Sequence, residues 1–341
     1  MRKIVWILVL IFLISAACNL PISEFTGEPS PRAVAQRIVT LDPNAPPTPT
    51  PFMPVASTPT PAGELPTPPA VTPPPDQQGT PPPLVQPDDT LSILVLGSDW
   101  RPNSGFRTDV IILTIINTRT GAVSLVSFPR DLYVEIPGVG QQRINTSQQF
   151  GGFSLTQATF QNNFGIKPDY YVMTNFQGFI NIIDRLGGIE VETARNLTDT
   201  CKLPQAVNGY CSVGPGRVYM NGETALWYVR SRYSSSDFDR SRRAQEVILA
   251  VFKKLMSLDA ISKVPQLYQE FRNNVETDIP LDQALKLASF APGLVSNPER
   301  INRFAIGPSD VWHYTTDTGA QVLIPIQERV QAILQEAYQV K

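Results

Sequence analysis

Histidine is almost absent from this chain, since His313 is the only one among 341 residues. A histidine-rich zinc site, an H-E-x-x-H metalloprotease motif and a metal-bound facial triad therefore lack ligands. A serine–histidine–aspartate triad would have to use His313, which lies in a Trp-His-Tyr run and is expected to be structural. The three cysteines, Cys18, Cys201 and Cys211, exclude a four-cysteine metal site and a Cys-x-x-Cys redox motif.

Neither sign of charge is in excess, because 28 Lys and Arg face 30 Asp and Glu and leave a net charge of −2. This balance excludes a nucleic-acid-binding protein that depends on overall positive charge. From Asp88 onward the cations are mainly arginine, 17 Arg against 7 Lys. Arginine holds phosphate oxygens through two parallel hydrogen bonds, so the bias suits phosphate recognition. Salt bridges on solvated helix surfaces are the alternative explanation.

The first 18 residues have the pattern of an export signal. Two basic residues precede an apolar run over 4–17, which is shorter than the roughly 20 residues of a spanning helix. The run ends in Ala-Ala-Cys and resembles the lipobox of bacterial lipoproteins, although Ser15 stands where Leu is usual. We expect a lipid anchor on Cys18, with an uncleaved signal anchor as the alternative. Either one places the remaining chain outside the cytoplasm and close to the membrane.

Proline-rich sequence follows this segment and defines the domain organisation. Eighteen of the 33 prolines lie between Pro43 and Pro87. Such a composition favours an extended polyproline II spacer of about 3.1 Å per residue. We therefore predict a disordered linker over 19–87 and a globular domain over 88–341. A disulfide between Cys201 and Cys211 is expected to staple a loop of this exported domain.

Short apolar runs alternate with helical patterns in the domain. Strands are predicted over 91–96, 109–117, 122–127, 133–136, 170–173, 189–191 and 301–306. Helices are predicted over 155–164, 176–186, 221–228, 241–256, 261–271, 281–290 and 325–338. Hairpins mixed with helices predict an α/β fold in which a mixed β-sheet lies between helices.

Asp and Arg residues gather beside the predicted strand ends. Asp99 follows the first strand and Asp109 opens the second, at positions where α/β sheets bind ligands. Two carboxylates repel a polyphosphate unless a divalent cation intervenes, and Mg²⁺ commonly joins one or two carboxylates to phosphate oxygens. The alternative is that both aspartates simply pair with nearby arginines. Five further arginines occupy one short stretch, namely Arg230, Arg232, Arg240, Arg242 and Arg243.

An ordered series of short motifs in this chain resembles the LytR-CpsA-Psr family. Its first part comprises Leu96-Gly97-Ser98-Asp99, Arg107-Thr108-Asp109, Ser127-Phe128-Pro129-Arg130-Asp131 and Arg143-Ile144-Asn145. Its second part comprises Tyr170-Tyr171-Val172, Phe176-Gln177-Gly178-Phe179, Leu186-Gly187-Gly188, Asn221-Gly222-Glu223-Thr224-Ala225-Leu226, Tyr228-Val229-Arg230-Ser231-Arg232 and Asp237-Phe238-Asp239-Arg240 with Arg243. These core motifs cover 91–258 and leave 259–341 as a C-terminal extension. Asp239 and Ala244 stand where the family usually has Gly and Gln, and these departures leave the charged set intact.

The resemblance implies an extracytoplasmic enzyme of the bacterial envelope with a mixed sheet between helices. Such enzymes transfer a glycopolymer from a polyprenyl diphosphate carrier to peptidoglycan. By this resemblance Asp99 and Asp109 would hold Mg²⁺. Separately from the resemblance, we expect an aspartate near the metal to accept the proton of the acceptor hydroxyl, with Asp99 and Asp131 as the candidates. The residues assigned by the resemblance to diphosphate binding are Arg107, Arg130, Asn145, Arg230, Arg232, Arg240 and Arg243.

Several alternatives stay open at the level of sequence. The same residues would serve a polyprenyl diphosphate phosphohydrolase, in which water replaces the sugar acceptor. A tethered adaptor that binds polyprenyl phosphates or wall polymer without turnover is the alternative outside enzymology, although a pure binder has no need of a metal site. The helices over 176–186 and 241–256 could line a slot for the lipid tail, but ordinary core packing is the favoured interpretation. Trp312 and Tyr314 flank His313 and are expected in a packed segment or turn rather than in a sugar site.

Overall fold

The computed structural model describes residues 81–100, 105–232, 236–257, 265, 268–269 and 272–340. The predicted signal peptide with Cys18, the linker as far as residue 80 and most of the predicted helix over 261–271 lie outside these ranges. Leu84 packs against the main core and its backbone N–H donates to the carbonyl of Gly165 at 2.9 Å. Contacts of the domain thus begin before Asp88. Within the described ranges, no helix has the length and apolar content needed to cross a membrane.

Fourteen strands and six α-helices are present in the described ranges. The strands are β1 Thr90–Ser98, β2 Thr108–Asn117, β3 Val123–Ser127, β4 Tyr133–Ile136, β5 Gly140–Arg143, β6 Tyr170–Asn175, β7 Ile189–Thr193, β8 Leu197–Thr200, β9 Tyr210–Val213, β10 Gly216–Met220, β11 Glu276–Thr277, β12 Ile301–Ala305, β13 Val311–Thr315 and β14 Gln321–Pro325. The helices are α1 Ser147–Phe164, α2 Phe176–Arg185, α3 Gly222–Arg230, α4 Asp237–Ser257, α5 Leu281–Ser296 and α6 Gln327–Gln339.

Six strands form the central sheet in the order β11-β6-β1-β2-β3-β12. β1, β2 and β3 pair antiparallel, whereas β6 lies parallel to β1 and β12 lies parallel to β3. The sheet is therefore mixed, as predicted. β13 and β14 form a separate hairpin. The N–H of Leu323 in β14 donates a hydrogen bond to the carbonyl of Asp131 at 2.9 Å and connects this hairpin to the turn after β3.

Both faces of the sheet are buried because its central strands are apolar on both sides. On β2, Leu113 faces a core that includes Phe160 of α1 and Leu334 of α6. Its neighbour Ile112 faces the opposite side, where it packs with Ala244 of α4. α2 and α3 complete that second layer, and helices thus cover both faces of the mixed sheet.

Several elements differ from the sequence prediction. α1 begins at Ser147 rather than 155, with a break at Gly151 and Gly152, where Gly152 adopts φ +62°. The helical pattern is interrupted there, so only the part after the break was visible in the sequence. The segment with Trp312 and His313 is strand β13 rather than a packed segment or turn, and Trp312 is 51% exposed. Short strands β5 and β8–β10 were missed because each strand has only four or five residues.

Candidate active site

The two aspartates predicted as metal ligands lie where β1 ends and β2 begins. The backbone N–H of Asp99 donates to the carbonyl of Arg107 at 3.0 Å and continues the strand pairing. The pairing register shifts between Gly97 and Ser98, which leaves Asp109 as the extra residue of a β-bulge. Bulges redirect side chains at strand ends, and this one sets Asp109 apart from the regular alternation of β2.

Asp99 and Asp109 each have a cationic neighbour. Asp99 Oδ1 accepts the backbone N–H of Arg107 at 2.6 Å, and its Oδ2 lies 3.4 Å from the largely exposed Arg107 guanidinium. Asp109 Oδ1 accepts a hydrogen bond from Arg130 Nη1 at 2.8 Å. The simple ion pairing considered as an alternative is therefore present in the structure. Arg107 is the exposed partner and Arg130 the buried one, with 56% and 14% of their side chains accessible.

Arg130 is the centre of a compact charged cluster. Its Nε lies 3.4 Å from Asp131 Oδ2 and 3.9 Å from Asp237 Oδ2. Burial lowers the pKa of Arg130, but its hydrogen bond to Asp109 and the surrounding carboxylates outweigh burial and leave the pKa raised. The guanidinium is thus held permanently charged among three carboxylates.

Two more arginines enter this cluster, Arg232 from the segment between α3 and α4 and Arg240 from the first turn of α4. Arg232 Nη2 donates to Asp237 Oδ1 at 3.0 Å, and Arg240 Nη2 lies 3.4 Å from the same oxygen. Only 7% of the Arg240 side chain is accessible. Burial lowers the pKa of Arg240 to about 10; Asp237 opposes this, while Arg130 and Arg232 add to it by repulsion. The guanidinium groups of Arg130, Arg232 and Arg240 therefore all lie beside Asp237. Such a group of cations favours the binding of a multivalent anion.

Asp131 and Asp237 form a pair of interacting carboxyl groups inside the cluster. Burial raises the pKa of Asp131, and the hydrogen bond and negative charge of Asp237 raise it further against Arg130 and Arg143. The pKa of Asp237 is lowered, because Arg240 and the Asp131 hydrogen bond outweigh burial. Asp131 is therefore the member that takes up a proton first. Arg143 Nε lies 3.1 Å from Asp131 Oδ1.

Asp237 and Arg143 were not among the predicted site residues. Both were present in the motif series, Asp237 three residues before Arg240 and Arg143 two residues before Asn145. Their position in those motifs was the available signal. The sequence alone did not indicate that both would contact Asp131 or Arg130.

Two predicted arginines lie apart from the cluster. The buried guanidinium of Arg243 donates to Asp239 Oδ2 at 3.2 Å and to the carbonyl of Ser231, which anchors the chain beside Arg232. Arg230 is exposed and lies over the ring of Phe176, with its guanidinium carbon 4.2 Å from the ring centre. Arg243 thus supports the backbone next to Arg232, and Arg230 lies at the exposed edge of the site.

Asp239 had no explanation in the sequence, because it adds negative charge beside a predicted anion site. In the structure it accepts hydrogen bonds from Arg242 Nη2 at 2.7 Å and from Arg243. Its charge is therefore balanced within α4. The i+3 and i+4 spacing of these partners is the ordinary geometry of helix ion pairs.

Asn145 lies in a short 3₁₀ helix over 144–146, directly beside the start of β2. Its backbone carbonyl accepts a hydrogen bond from Thr108 Oγ1 at 3.3 Å. The Asn145 side-chain oxygen is buried and has no hydrogen-bond partner among the described residues. An oxygen acceptor left without a donor is a poor ligand for phosphate oxygens but suits a bound water or a cation.

The carboxylates of Asp99 and Asp109 fit Mg²⁺ as a donor set. Mg²⁺ in phosphate-binding sites commonly uses one or two carboxylates and takes its other ligands from phosphate and water. Among the described residues no group of three or more His, Cys, Asp or Glu side chains could hold a metal.

An apolar cavity of about 280 Å³ opens beside the cluster. It lies between the sheet and helices α2, α3 and α4, with Val95, Phe179 and Ile248 among its walls. Asp109 is the only charged side chain among its described lining residues. The sequence favoured ordinary core packing for α2 and α4; instead both helices also line an open space.

The hairpin β8–β9 contacts α3 and the segment after it, which carries Arg232. Asp199 Oδ2 accepts the backbone N–H of Arg232 at 2.6 Å, and Trp227 Nε1 donates to the carbonyl of Thr200 at 3.0 Å. Cys201 and Cys211 lie at the end of this hairpin with Cα atoms 5.6 Å apart. That distance is within the normal range for a disulfide, and the predicted loop staple is compatible with it.

Comparison with known proteins identifies relatives of this chain. The model of the LytR_cpsA_psr family matches residues 70–338. The polyisoprenyl-teichoic acid–peptidoglycan teichoic acid transferase TagU of Bacillus subtilis (strain 168) is 30% identical over 237 residues, which are 68% of this chain and 74% of TagU. The transferase of the same name from Enterococcus faecalis (strain ATCC 700802 / V583) is 34% identical over 207 residues, 59% of this chain and 65% of the relative.

Solved structures give the same result. Bacillus subtilis TagV superposes with a TM-score of 0.62 at 26% sequence identity, covering 74% of this chain and 98% of TagV. TagT bound to LIIa-WTA superposes with a TM-score of 0.55 at 25% identity, covering 73% of this chain and 90% of TagT. The α/β architecture described above is shared with these proteins.

Proposed function

This chain belongs to the LytR-CpsA-Psr family, and we propose that it is a phosphotransferase that moves a glycopolymer from a polyprenyl diphosphate carrier onto peptidoglycan. The names of its relatives support this reaction, since TagU of Bacillus subtilis is named for the transfer of teichoic acid to peptidoglycan. The predicted export signal supports an extracytoplasmic enzyme at the outer face of the membrane, where both proposed substrates are accessible. Cys18 is the proposed lipid anchor.

The observation that carries the proposal is the contact between an apolar cavity and an arginine cluster. Asp109 lines the cavity and also accepts a hydrogen bond from Arg130. Arg240 Nη2 lies 3.5 Å from the Asp109 backbone carbonyl, so the cavity mouth and the cluster are adjacent. A polyprenyl diphosphate has a matching division into an apolar tail and an anionic head. The tail would enter the cavity while the diphosphate lies against the arginines.

Arg130, Arg232 and Arg240 are the proposed principal diphosphate ligands, because they already share the carboxylate of Asp237. Bidentate arginine contacts suit both phosphate oxygens and the charge that develops on the leaving phosphate. Arg107 and Arg230 are exposed at the edges and would contact the head group or the glycan phosphate from there. Arg243 and Asn145 would support the site by fixing Ser231 and the start of β2.

Asp99 and Asp109 are the proposed holders of Mg²⁺. When bound there, Mg²⁺ would neutralise phosphate charge and help to orient the diphosphate. The position of both carboxylates at the adjoining ends of β1 and β2, where the β-bulge lies, supports this proposal.

The proposed reaction is a substitution at the phosphorus attached to the glycopolymer. The acceptor hydroxyl oxygen of peptidoglycan forms the new P–O bond, and the bond from this phosphorus to the bridging oxygen of the diphosphate breaks. Polyprenyl phosphate leaves with the bonding electron pair. The hydroxyl proton passes to Asp131, whose raised pKa suits a proton acceptor better than that of a fully ionised surface carboxylate.

The test uses the full-length protein in lipid vesicles with a polyprenyl diphosphate-linked oligosaccharide and peptidoglycan strands. We expect covalent attachment of the oligosaccharide with Mg²⁺ and none with a chelator. Asp99→Asn should reduce attachment at least about 100-fold, because it removes a proposed metal ligand. Asp89→Asn is the matched control, since Asp89 pairs with exposed Arg119 on the surface.

Two results would contradict the proposal. Release of free sugar phosphate without attachment, with acceptor present, would identify a phosphohydrolase. Tight donor binding without turnover under every metal condition would identify an adaptor.

A further inference from the structure

A second, polar groove of about 660 Å³ adjoins the apolar cavity. The two spaces share Ser98, Thr174 and Asn175, which lie at the carboxyl ends of β1 and β6. The polar groove therefore begins at the same strand end that is followed by Asp99. The proposed function assigns no task to it.

Side-chain amides dominate the wall of this groove. The six amide residues that line it are Gln148, Asn175, Gln177, Asn181, Asn273 and Asn274. Asn181 connects two of the others. Gln177 Nε2 donates to Asn181 Oδ1, and Asn181 Nδ2 donates to Asn274 Oδ1, both at 2.9 Å. Each amide has two donor hydrogens and an acceptor oxygen, so this row retains capacity for further hydrogen bonds.

The groove is built into the fold rather than formed by loose surface side chains. Thr174 Oγ1 donates to the carbonyl of Asn274 at 2.8 Å and fixes the 272–275 segment against β6. A Cβ at Gly178 would lie 2.4 Å from that same carbonyl oxygen, so only glycine permits this approach of α2. Asn175 Oδ1 accepts the N–H of Gly178 at 2.8 Å and fixes the start of the helix.

The groove differs chemically from the arginine cluster beside it. Glu276 is its only charged side chain among the described lining residues, and neither Lys nor Arg is present among them. Trp100, which is 45% exposed, and Phe106 supply aromatic surface. An anionic polymer would therefore gain nothing from this surface and would be repelled by Glu276.

We propose that this amide groove binds an uncharged saccharide and holds it next to the reacting phosphate. Hydroxyl and acetamido groups both donate and accept hydrogen bonds, as side-chain amides do, and the apolar face of a sugar ring can pack on Trp100. This inference rests on the proposed transferase function. The saccharide is either the acceptor glycan of peptidoglycan or the lipid-proximal sugars of the donor, two sources with the same chemistry.

The first experiment measures binding without any reaction. An uncharged N-acetylglucosamine oligomer is titrated into the full-length protein in detergent, without metal or donor, and binding is followed by ligand-observed NMR. We expect binding that weakens at least about fivefold in Trp100→Ala and in Gln177→Ala. Trp312→Ala and Gln141→Ala are matched controls, because these residues are also exposed and lie outside the groove.

Two results would overturn the inference. They are no binding by the unchanged protein and an equal loss of binding in the control variants. Neither of these depends on turnover. If the oligomer binds as expected but no transfer occurs, the proposed function fails and the saccharide groove stands.

The second experiment identifies the source of the saccharide through KM values. A KM for peptidoglycan strands that rises at least about fivefold in Gln177→Ala, with an unchanged KM for the donor, assigns the groove to the acceptor. A KM for the donor that rises at least about fivefold, with an unchanged KM for peptidoglycan strands, assigns the groove to the donor sugars. In that case the binding of polyprenyl diphosphate without sugar should be unchanged. Unchanged KM values for both substrates would contradict a role of the groove in transfer.

Discussion

Replacement of Arg130 is the perturbation whose consequences the structure defines most closely. Its side chain is 14% accessible and hydrogen bonds to Asp109 at 2.8 Å, with Asp131 and Asp237 at 3.4 and 3.9 Å. In Arg130→Ala these carboxylates would face each other without the central cation. Breaking a fully buried ion pair costs about 3–5 kcal/mol and an exposed one about 0–1 kcal/mol. Since the carboxylates are 21–30% accessible, we expect an intermediate loss of about 2 kcal/mol in the free energy of unfolding.

The loss of transfer activity should be larger than the loss of stability. Removal of one donor that stabilises transition-state charge typically lowers kcat about 100- to 1,000-fold. Arg130→Lys separates the two effects, because the ammonium keeps the positive charge but cannot hold two oxygens in parallel. We expect Arg130→Lys to lose less than about 1 kcal/mol of stability and still lose most of its activity.

The assays are urea unfolding at neutral pH and transfer to peptidoglycan strands by the same preparations. The stability deficit of Arg130→Ala should shrink at acidic pH, since protonation of the carboxylates removes their mutual repulsion. Arg119→Ala is the control, because its ion pair with Asp89 is on the surface and its side chain is 79% accessible. A folded Arg130→Ala variant with transfer within about threefold of the unchanged protein would refute the assignment.

Three further predictions concern the cavity, the carboxyl pair and the β8–β9 hairpin. Ile248→Trp should fill the apolar cavity and raise the KM for a long-chain polyprenyl donor at least about tenfold, with little effect on a short-chain donor, as steady-state kinetics would show. Asp237→Asn removes a charge that raises the Asp131 pKa, so the acidic limb of the pH–rate profile should move to lower pH; a shift to higher pH would exclude Asp131 as the base. The double variant Cys201→Ser with Cys211→Ser should lose about 2–3 kcal/mol in urea unfolding if the disulfide forms, and an unchanged midpoint would argue against it.

The position of Asp99 and Asp109 could be predicted from the sequence because the two residues are close together along the chain. Asp99 directly follows β1 and Asp109 lies near the start of β2, the antiparallel neighbour of β1, and strand endings are visible in the apolar pattern. The sequence did not predict that Arg130 lies between Asp109 and Asp131, because this position depends on the turn after β3. Periodicity gives strand bounds, but it does not give the direction of a side chain that leaves the strand.

The cavity and the separation of the arginines could not be read from the sequence. The apolar faces of α2 and α4 have the same pattern whether they pack fully on the sheet or leave a space. Arg240 and Arg243 lie three residues apart on one helix, yet Arg240 faces Asp237 and Arg243 bonds to Asp239 and Ser231. Such distinctions follow from how the helix is rotated in the fold, which spacing alone does not define.

The most direct test of the account follows the phosphorus atom itself. A donor carrying ³²P in the phosphate next to the sugar is incubated with the full-length protein, Mg²⁺ and peptidoglycan strands. The account predicts that the label becomes covalently attached to peptidoglycan in equal amount with the oligosaccharide, while polyprenyl phosphate is released unlabelled. Oligosaccharide attached without label, or label left on the lipid, would contradict attack at the sugar-linked phosphorus.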